Sequence, residues 1–183
     1  MTREQQLTAM LIPFYLGEQP DSKGRKIQAI WEWAFDQLEQ THDYIQWLFP
    51  IAEKSAFNLD SPLVNDSVIQ AFQTDPKLRE NLLRSLNVML QFYGLECHQA
   101  QAKEIIVTKS KDYSTRKREW MYPLNHNYLR ITRILKCLTL FGLVDEAHAF
   151  YDCLRQIYQE DVLLIETKTF HYWTNALKMS SNF

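Results

Sequence analysis

His126, Arg130 and Arg133 are spaced four and three residues apart, so in a helix they share one face. The apolar residues Ile131, Ile134 and Leu138 fall about a quarter turn or more away, and Asn127 sits at the border. Two arginines one turn apart suit an anion clamp, because the planar guanidinium fork can hold a carboxylate or phosphate through two parallel hydrogen bonds. The plainer reading, surface arginines paired with nearby carboxylates, competes with it. A second polar group, His42, Asp43, Gln46 and Trp47, lies near the other end of the chain. His42 and Gln46 align if that turn is helical. Trp47 is most simply a core residue, and Gln46, if buried, must find partners. One partner it is expected to orient is the helix that carries Arg130.

Other chemistries are weaker. His42 or His126 beside Asp43 allows a general-base reading, yet the chain has no GxSxG, HExxH, phosphate-loop or dinucleotide fingerprint. The enzyme reading therefore ranks below recognition, and no catalytic residue or cofactor is assigned. His42 with His98 or His171 lacks the HxxxH or CxxC pairing of a metal site. The basic run from Lys109 to Arg118, with Tyr113 and Trp120 nearby, has the residue types for holding a nucleic-acid backbone while an aromatic ring stacks on a base. Asp112 and Glu119 dilute that charge, and the whole chain is slightly acidic, so a solvated loop is preferred and nucleic acid is not the expected partner.

These residues need a scaffold. The 183 residues fit one domain, and 46% hydrophobic with 13% aromatic residues is enough apolar surface to fold. Only 4 glycines and 6 prolines occur, which favours long helices over many tight turns. A formal net charge of -2 gives no global pull toward nucleic acid or anionic lipid. Three widely spaced cysteines, Cys97, Cys137 and Cys153, resemble neither a zinc site nor a disulfide scaffold. No apolar run is long enough to span a membrane and the first residues are polar. Together these features predict a reducing, cytoplasmic setting.

Ile27, Ile30, Trp31, Ala34, Phe35 and Leu38 predict a helix over 27–38. The aromatic-dense 42–50 stretch reads as a short buried turn or helix end before Pro50, and 51–65 as a connecting loop. A short helix is expected over 66–72. Asp75-Pro76 then opens a helix that closes at Gly94. Residues 96–125, rich in Lys103, Lys109, Lys111, Arg116, Lys117 and Arg118, read as an irregular basic segment, with Ile105 to Thr108 a short strand or buried loop. Helices follow over 125–141, 145–159 and 169–179, and the last few residues should fray. The expected fold is all-α, a compact bundle of about six helices in a single domain, 1–183, interrupted by that basic segment.

Tyr44-Ile45-Gln46-Trp47-Leu48-Phe49-Pro50, after His42-Asp43, is similar to one hallmark of the opioid growth factor receptor conserved region. Leu129-Arg130-Ile131-Thr132-Arg133-Ile134-Leu135-Lys136, after His126-Asn127 and before Leu138 and Gly142-Leu143, resembles the other, in the same order. Asn81 to Gly94, ending Leu90-Gln91-Phe92-Tyr93-Gly94, is similar to the segment between them. The resemblance covers about 14–145, with the 145–179 helices packed on it, and two ordered motifs are more specific than one. It implies a helical domain and, in animals, a receptor for the opioid growth factor, the pentapeptide Met-enkephalin, associated with the nucleus and its membrane and with growth control. This chain departs in stopping shortly after the region, without acidic or repetitive C-terminal extensions or basic import signals, which puts nuclear transport in doubt. The function expected is recognition of a peptide or small anionic ligand by His42, Asp43, Gln46, Trp47, His126, Asn127, Arg130 and Arg133. The alternatives are an enzyme using the same cluster, or an interaction module acting through 109–118.

Overall fold

Thr2 and Gln5 open the first helix with a reciprocal capping box: the Gln5 amide donates to Thr2 Oγ1 at 3.2 Å and the Thr2 amide to Gln5 Oε1 at 2.8 Å. The structure, a computed structural model, describes residues 1–54, 58, 60–100 and 104–180, with side chains to residue 178. Lys103, counted above in the basic stretch, and the fraying expected at the last residues, 181–183, lie outside them. Among the described residues there are ten α-helices: α1 (Arg3–Tyr15), α2 (Ile27–Trp31), α3 (Phe35–Gln40), α4 (Ile45–Leu48), α5 (Asp66–Thr74), α6 (Pro76–Tyr93), α7 (Tyr113–Trp120), α8 (Asn127–Leu140), α9 (Val144–Glu160) and α10 (Thr167–Ala176). Strands β1 (Leu95–Gln99) and β2 (Ile105–Lys109) lie between α6 and α7, and a 3₁₀ turn (Leu177–Ser180) follows α10. The fold is thus mostly helical, but it is not a six-helix bundle. The chain forms two compact units, 1–88 and 89–183, with the boundary inside α6.

In the first unit α1 buries Leu7, Leu11, Phe14 and Tyr15. Phe14 meets Trp47 edge-on at 5.3 Å between centroids, and Tyr15 meets Phe72 at 4.7 Å. The Tyr15 hydroxyl donates to the Leu48 carbonyl, and the Asn81 amide to the Tyr15 carbonyl at 2.6 Å. The single helix expected over 27–38 is two. Glu32 and Ala34 leave helical geometry between them, which lets Trp31 send its indole N–H to Ser85 at 2.9 Å while Trp33 packs on Tyr44 at 5.5 Å. One straight helix would not aim both indoles at these partners. Within the 42–50 stretch Ile45–Leu48 form the short, buried α4, and Tyr44, Phe49 and Pro50 beside it are buried too. Residues 51–65 form no helix or strand among those described, apart from an isolated bridge of Ile51 to Leu63. Asp75 caps α6 by accepting the Lys77 amide at 2.8 Å.

In the second unit α6 ends at Gly94, whose φ of 77° is the left-handed conformation glycine adopts without strain. The segment expected to be irregular is a hairpin and a helix. β1 and β2 pair antiparallel, Cys97 opposite Val107. The β-branched run Ile105 to Thr108 was the visible half of this pair. Its partner, Leu-Glu-Cys-His-Gln, has little strand character by itself and is ordered by the ladder. α7 follows, held by the Arg116 guanidinium on the Phe92 carbonyl at 2.9 Å and the Trp120 indole on the Tyr93 carbonyl at 3.0 Å. α8 contacts α9, α10 and the final 3₁₀ turn. Trp173 of α10 donates to the Tyr128 carbonyl at 3.2 Å, and its ring meets that of Tyr128 edge-on at 5.9 Å.

Candidate functional site

Leu124, at φ 63° and exposed, turns the chain into α8. Asn125 then caps the turn, its side-chain oxygen accepting the Asn127 amide at 2.8 Å and its amide reaching the Glu119 carbonyl at 3.4 Å. His126 stands at the N-cap position and is half-buried. Asn127 is wholly buried and its Oδ1 accepts from Arg130 Nη1 at 3.2 Å. Arg130 is only 5% exposed and Arg133 is half-buried. The face carrying these residues is therefore less open than the sequence suggests. Within α8 only Leu129 is exposed, because the helix is packed on several sides.

The other polar group belongs to the first unit. His42 is exposed, Asp43 is half-buried, and Gln46 and Trp47 are buried. Gln46 Oε1 and Trp47 Nε1 have no hydrogen-bond partner among the described residues. Asp43 is drawn to a residue that sequence reasoning missed: Arg25 Nη1 reaches Asp43 Oδ1 at 2.5 Å, while Arg25 Nε reaches Asp21 Oδ2 at 2.7 Å. Asp21, 2% exposed, also accepts the backbone amides of Lys23 and Arg25, each at 2.9 Å. The available signal was an aspartate four residues before an arginine, around Gly24, in a turn-forming run.

A groove of about 520 Å³ also lies in the first unit. Glu4, Gln5, Thr8, Ala9 and Ile12 of α1 line one side. Ala52, Leu63, Val64 and the α5 start at Asn65, Ser67 and Val68 line the other. Thr8 Oγ1 donates to the Leu63 carbonyl at 2.8 Å, and Glu4 pairs with Lys54 at 3.0 Å. Because α1 was not recognised in the sequence, neither was this groove.

The basic run has local partners. Lys109 pairs with Glu160 and lies 4.9 Å from the Tyr113 ring, Lys117 approaches Asp161 at 3.4 Å, and Arg116 is held by the Phe92 carbonyl. Lys111 and Arg118 are exposed. Among the described residues no three His, Cys, Asp or Glu side chains are grouped to hold a metal ion, and no helix is long and apolar enough to cross a membrane.

Tyr128, at the start of α8, links these elements through its hydroxyl, which donates to the Leu164 carbonyl at 3.1 Å. Burial first, then the neighbouring Glu166 and Tyr122, pushes its phenol up to about 12. An unfolded tyrosine ionises near pH 10, so the folded state holds this proton more tightly. The stability this contributes is intact below about pH 10 and is lost as pH rises toward about 12. Thermal melts across that range should show an alkaline decline that is smaller in Tyr128→Phe than in the parent chain.

The two units are predominantly helical, and the second carries a small hairpin. The family model for the opioid growth factor receptor conserved region matches residues 4–182. Opioid growth factor receptor of Mus musculus is 38% identical over 116 residues, 62% of this chain and 17% of that protein. The Homo sapiens protein of the same name is 36% identical over 113 residues, 62% of this chain and 16% of that protein. Opioid growth factor receptor-like protein 1 of Xenopus tropicalis is 31% identical over 133 residues, 70% of this chain and 25% of that protein. The chain belongs to the family of the opioid growth factor receptor conserved region. It spans no more than a quarter of the length of these relatives. No solved structure matches it.

Proposed function

We propose that this chain is a recognition module that takes a short peptide in the groove between α1 and the start of α5. The observation that carries the reading is the groove itself. Its volume of about 520 Å³ is in the range of small-ligand sites, and it combines an acidic side chain, Glu4, with the apolar Ile12, Leu63, Val64 and Val68. A peptide with a free amino terminus and apolar side chains, as Met-enkephalin has, complements that lining. The relatives named opioid growth factor receptor support the peptide class.

A second reading, a small anion held at the start of α8 by His126, Asn127, Arg130 and Arg133, is favoured by the buried Arg130 guanidinium, held in place by Asn127. Calorimetry separates the two. In the first reading Met-enkephalin binds, and Ala9→Arg, which fills the groove from an exposed position, weakens binding about tenfold or more, a loss of ~1.4 kcal/mol, while Arg133→Ala leaves it unchanged. In the second, inorganic phosphate binds the parent chain and is lost in Arg133→Ala and in Arg130→Lys, which keeps the charge without the fork. A parent chain that binds no peptide defeats the first reading.

A further inference from the structure

Glu4 is the one ionisable side chain among the described residues that line the groove. The other polar side chains there are committed within the chain. Gln5 Oε1 accepts the Thr2 amide at 2.8 Å, and Thr8 Oγ1 donates to the Leu63 carbonyl at 2.8 Å. Asn65 Oδ1 accepts from the Val68 amide at 3.0 Å and from Ser67 Oγ at 2.8 Å. These bonds cap α1 and α5 or tie α1 to the opposite wall, so giving them up to a ligand would loosen the groove itself. Glu4 differs. Its partner, Lys54 at 3.0 Å, reaches it from outside the lining, and the two side chains are 51% and 79% exposed. An ion pair so open to water contributes little to stability, and a lysine ammonium is carried on one flexible stem. A ligand can therefore replace this contact without disturbing the fold.

We propose that Lys54 is a built-in competitor at this site: it holds Glu4 until a ligand's own ammonium takes its place, and the groove thereby selects ligands that carry a free amine. The inference rests on the reading of the groove as a peptide site and adds what that site discriminates. Lys54 displays the chemistry that Glu4 accepts, an ammonium donating to its carboxylate. A ligand ammonium gains more from that carboxylate than Lys54 does. The ligand's apolar side chains cover Ile12, Val64 and Val68, which buries apolar area and keeps water from one side of the new ion pair, and a pair is stronger where water is excluded. Lys54, reaching in from solvent, brings neither effect. A neutral ligand end gains nothing by displacing Lys54 and leaves the pair as it stands.

Calorimetry of the full chain with Met-enkephalin and with its des-amino form, which lacks only the terminal ammonium, tests this. The parent chain should bind Met-enkephalin about tenfold more tightly than the des-amino form. Lys54→Met, which keeps an unbranched stem and removes the charge, should tighten Met-enkephalin about threefold, the scale of a lost exposed ion pair, and leave the des-amino form unchanged. Lys54→Arg keeps a competing cation and should bind like the parent. Glu4→Gln should bring the two ligands to the same affinity, and adding Lys54→Met to it should then change nothing. A Lys54→Met chain that binds Met-enkephalin no more tightly, or that tightens both ligands alike, overturns the proposal. A parent chain that binds both forms equally overturns it too and leaves the groove a peptide site, whereas a parent chain that binds neither overturns both. The substituted side chains are exposed, so the variants keep the fold that the comparison needs.

Discussion

Gly94→Ala lowers the stability of the chain by about 3 kcal/mol, which for a protein of this size is a fall in melting temperature on the order of 10 °C. Two effects add. Gly94 has φ 77°, where any L side chain costs about 1–2 kcal/mol. A Cβ built there also meets Tyr113 Cα at 2.7 Å and Arg116 Cβ at 2.9 Å. The nearest obstacle is backbone, so no side-chain rotation relieves it, and either the β1 start or the α7 start must move. Gly24 is the internal control, because its φ of 80° is similar while nothing lies within 4 Å of a Cβ there. Gly24→Ala should cost only the conformational part, about 1–2 kcal/mol. Urea unfolding of both variants measures the difference, and equal losses would show that the approach of α7 contributes nothing.

Asp21→Ala is the second large loss, about 3 kcal/mol, close to what removing one partner of a buried ion pair costs. Its carboxylate accepts two backbone amides and the Arg25 Nε, and the side chain has no exposed surface. Without it Arg25 keeps only the more exposed Asp43, and the turn loses the acceptor that closes it. Asp43→Ala, at a side chain 34% exposed, should cost about 1 kcal/mol or less. Asp21→Asn keeps an acceptor for the turn but loses the charge, so it should fall between. The ranking is the measurable content: if Asp21→Ala and Asp43→Ala cost the same in urea, Asp21 is not the centre of this cluster.

The helices with one clear apolar stripe were legible in sequence. Val68 and Phe72 on α5, Leu78, Leu82, Leu86 and Met89 on α6, Ile131, Ile134 and Leu138 on α8, and Phe150, Leu154 and Ile157 on α9 recur at helical spacing and are buried. Caps and terminators at Asp75, Gly94 and Gly142 marked ends that require no distant partner. α1 was missed although its signals were present, the Thr2 and Gln5 capping box and buried Leu7, Leu11 and Phe14, because Pro13 in its last turn argues against a helix when read alone. α7 was missed for the opposite reason: its residues are mostly charged and polar, and it is held through Trp120 and Arg116 by the Tyr93 and Phe92 carbonyls.

The candidate sites divide in the same way. Sequence identified the polar residues of α4 and α8 and the family they resemble, because residue type and helical spacing are local. It could not tell that Arg130 is buried, that Asp43 is drawn to Arg25, or that α1 and the 63–68 segment enclose a groove, since each depends on residues far apart in the chain. By itself the sequence determined the positions of the clearly striped helices α5, α6, α8 and α9, turn chemistry and family membership, which follow from propensities and patterns within a few residues. Tertiary structure alone decided the break at Glu32–Ala34, the pairing that makes a strand of Leu95–Gln99, and which charges are buried, because burial and strand pairing are properties of contacts between distant segments.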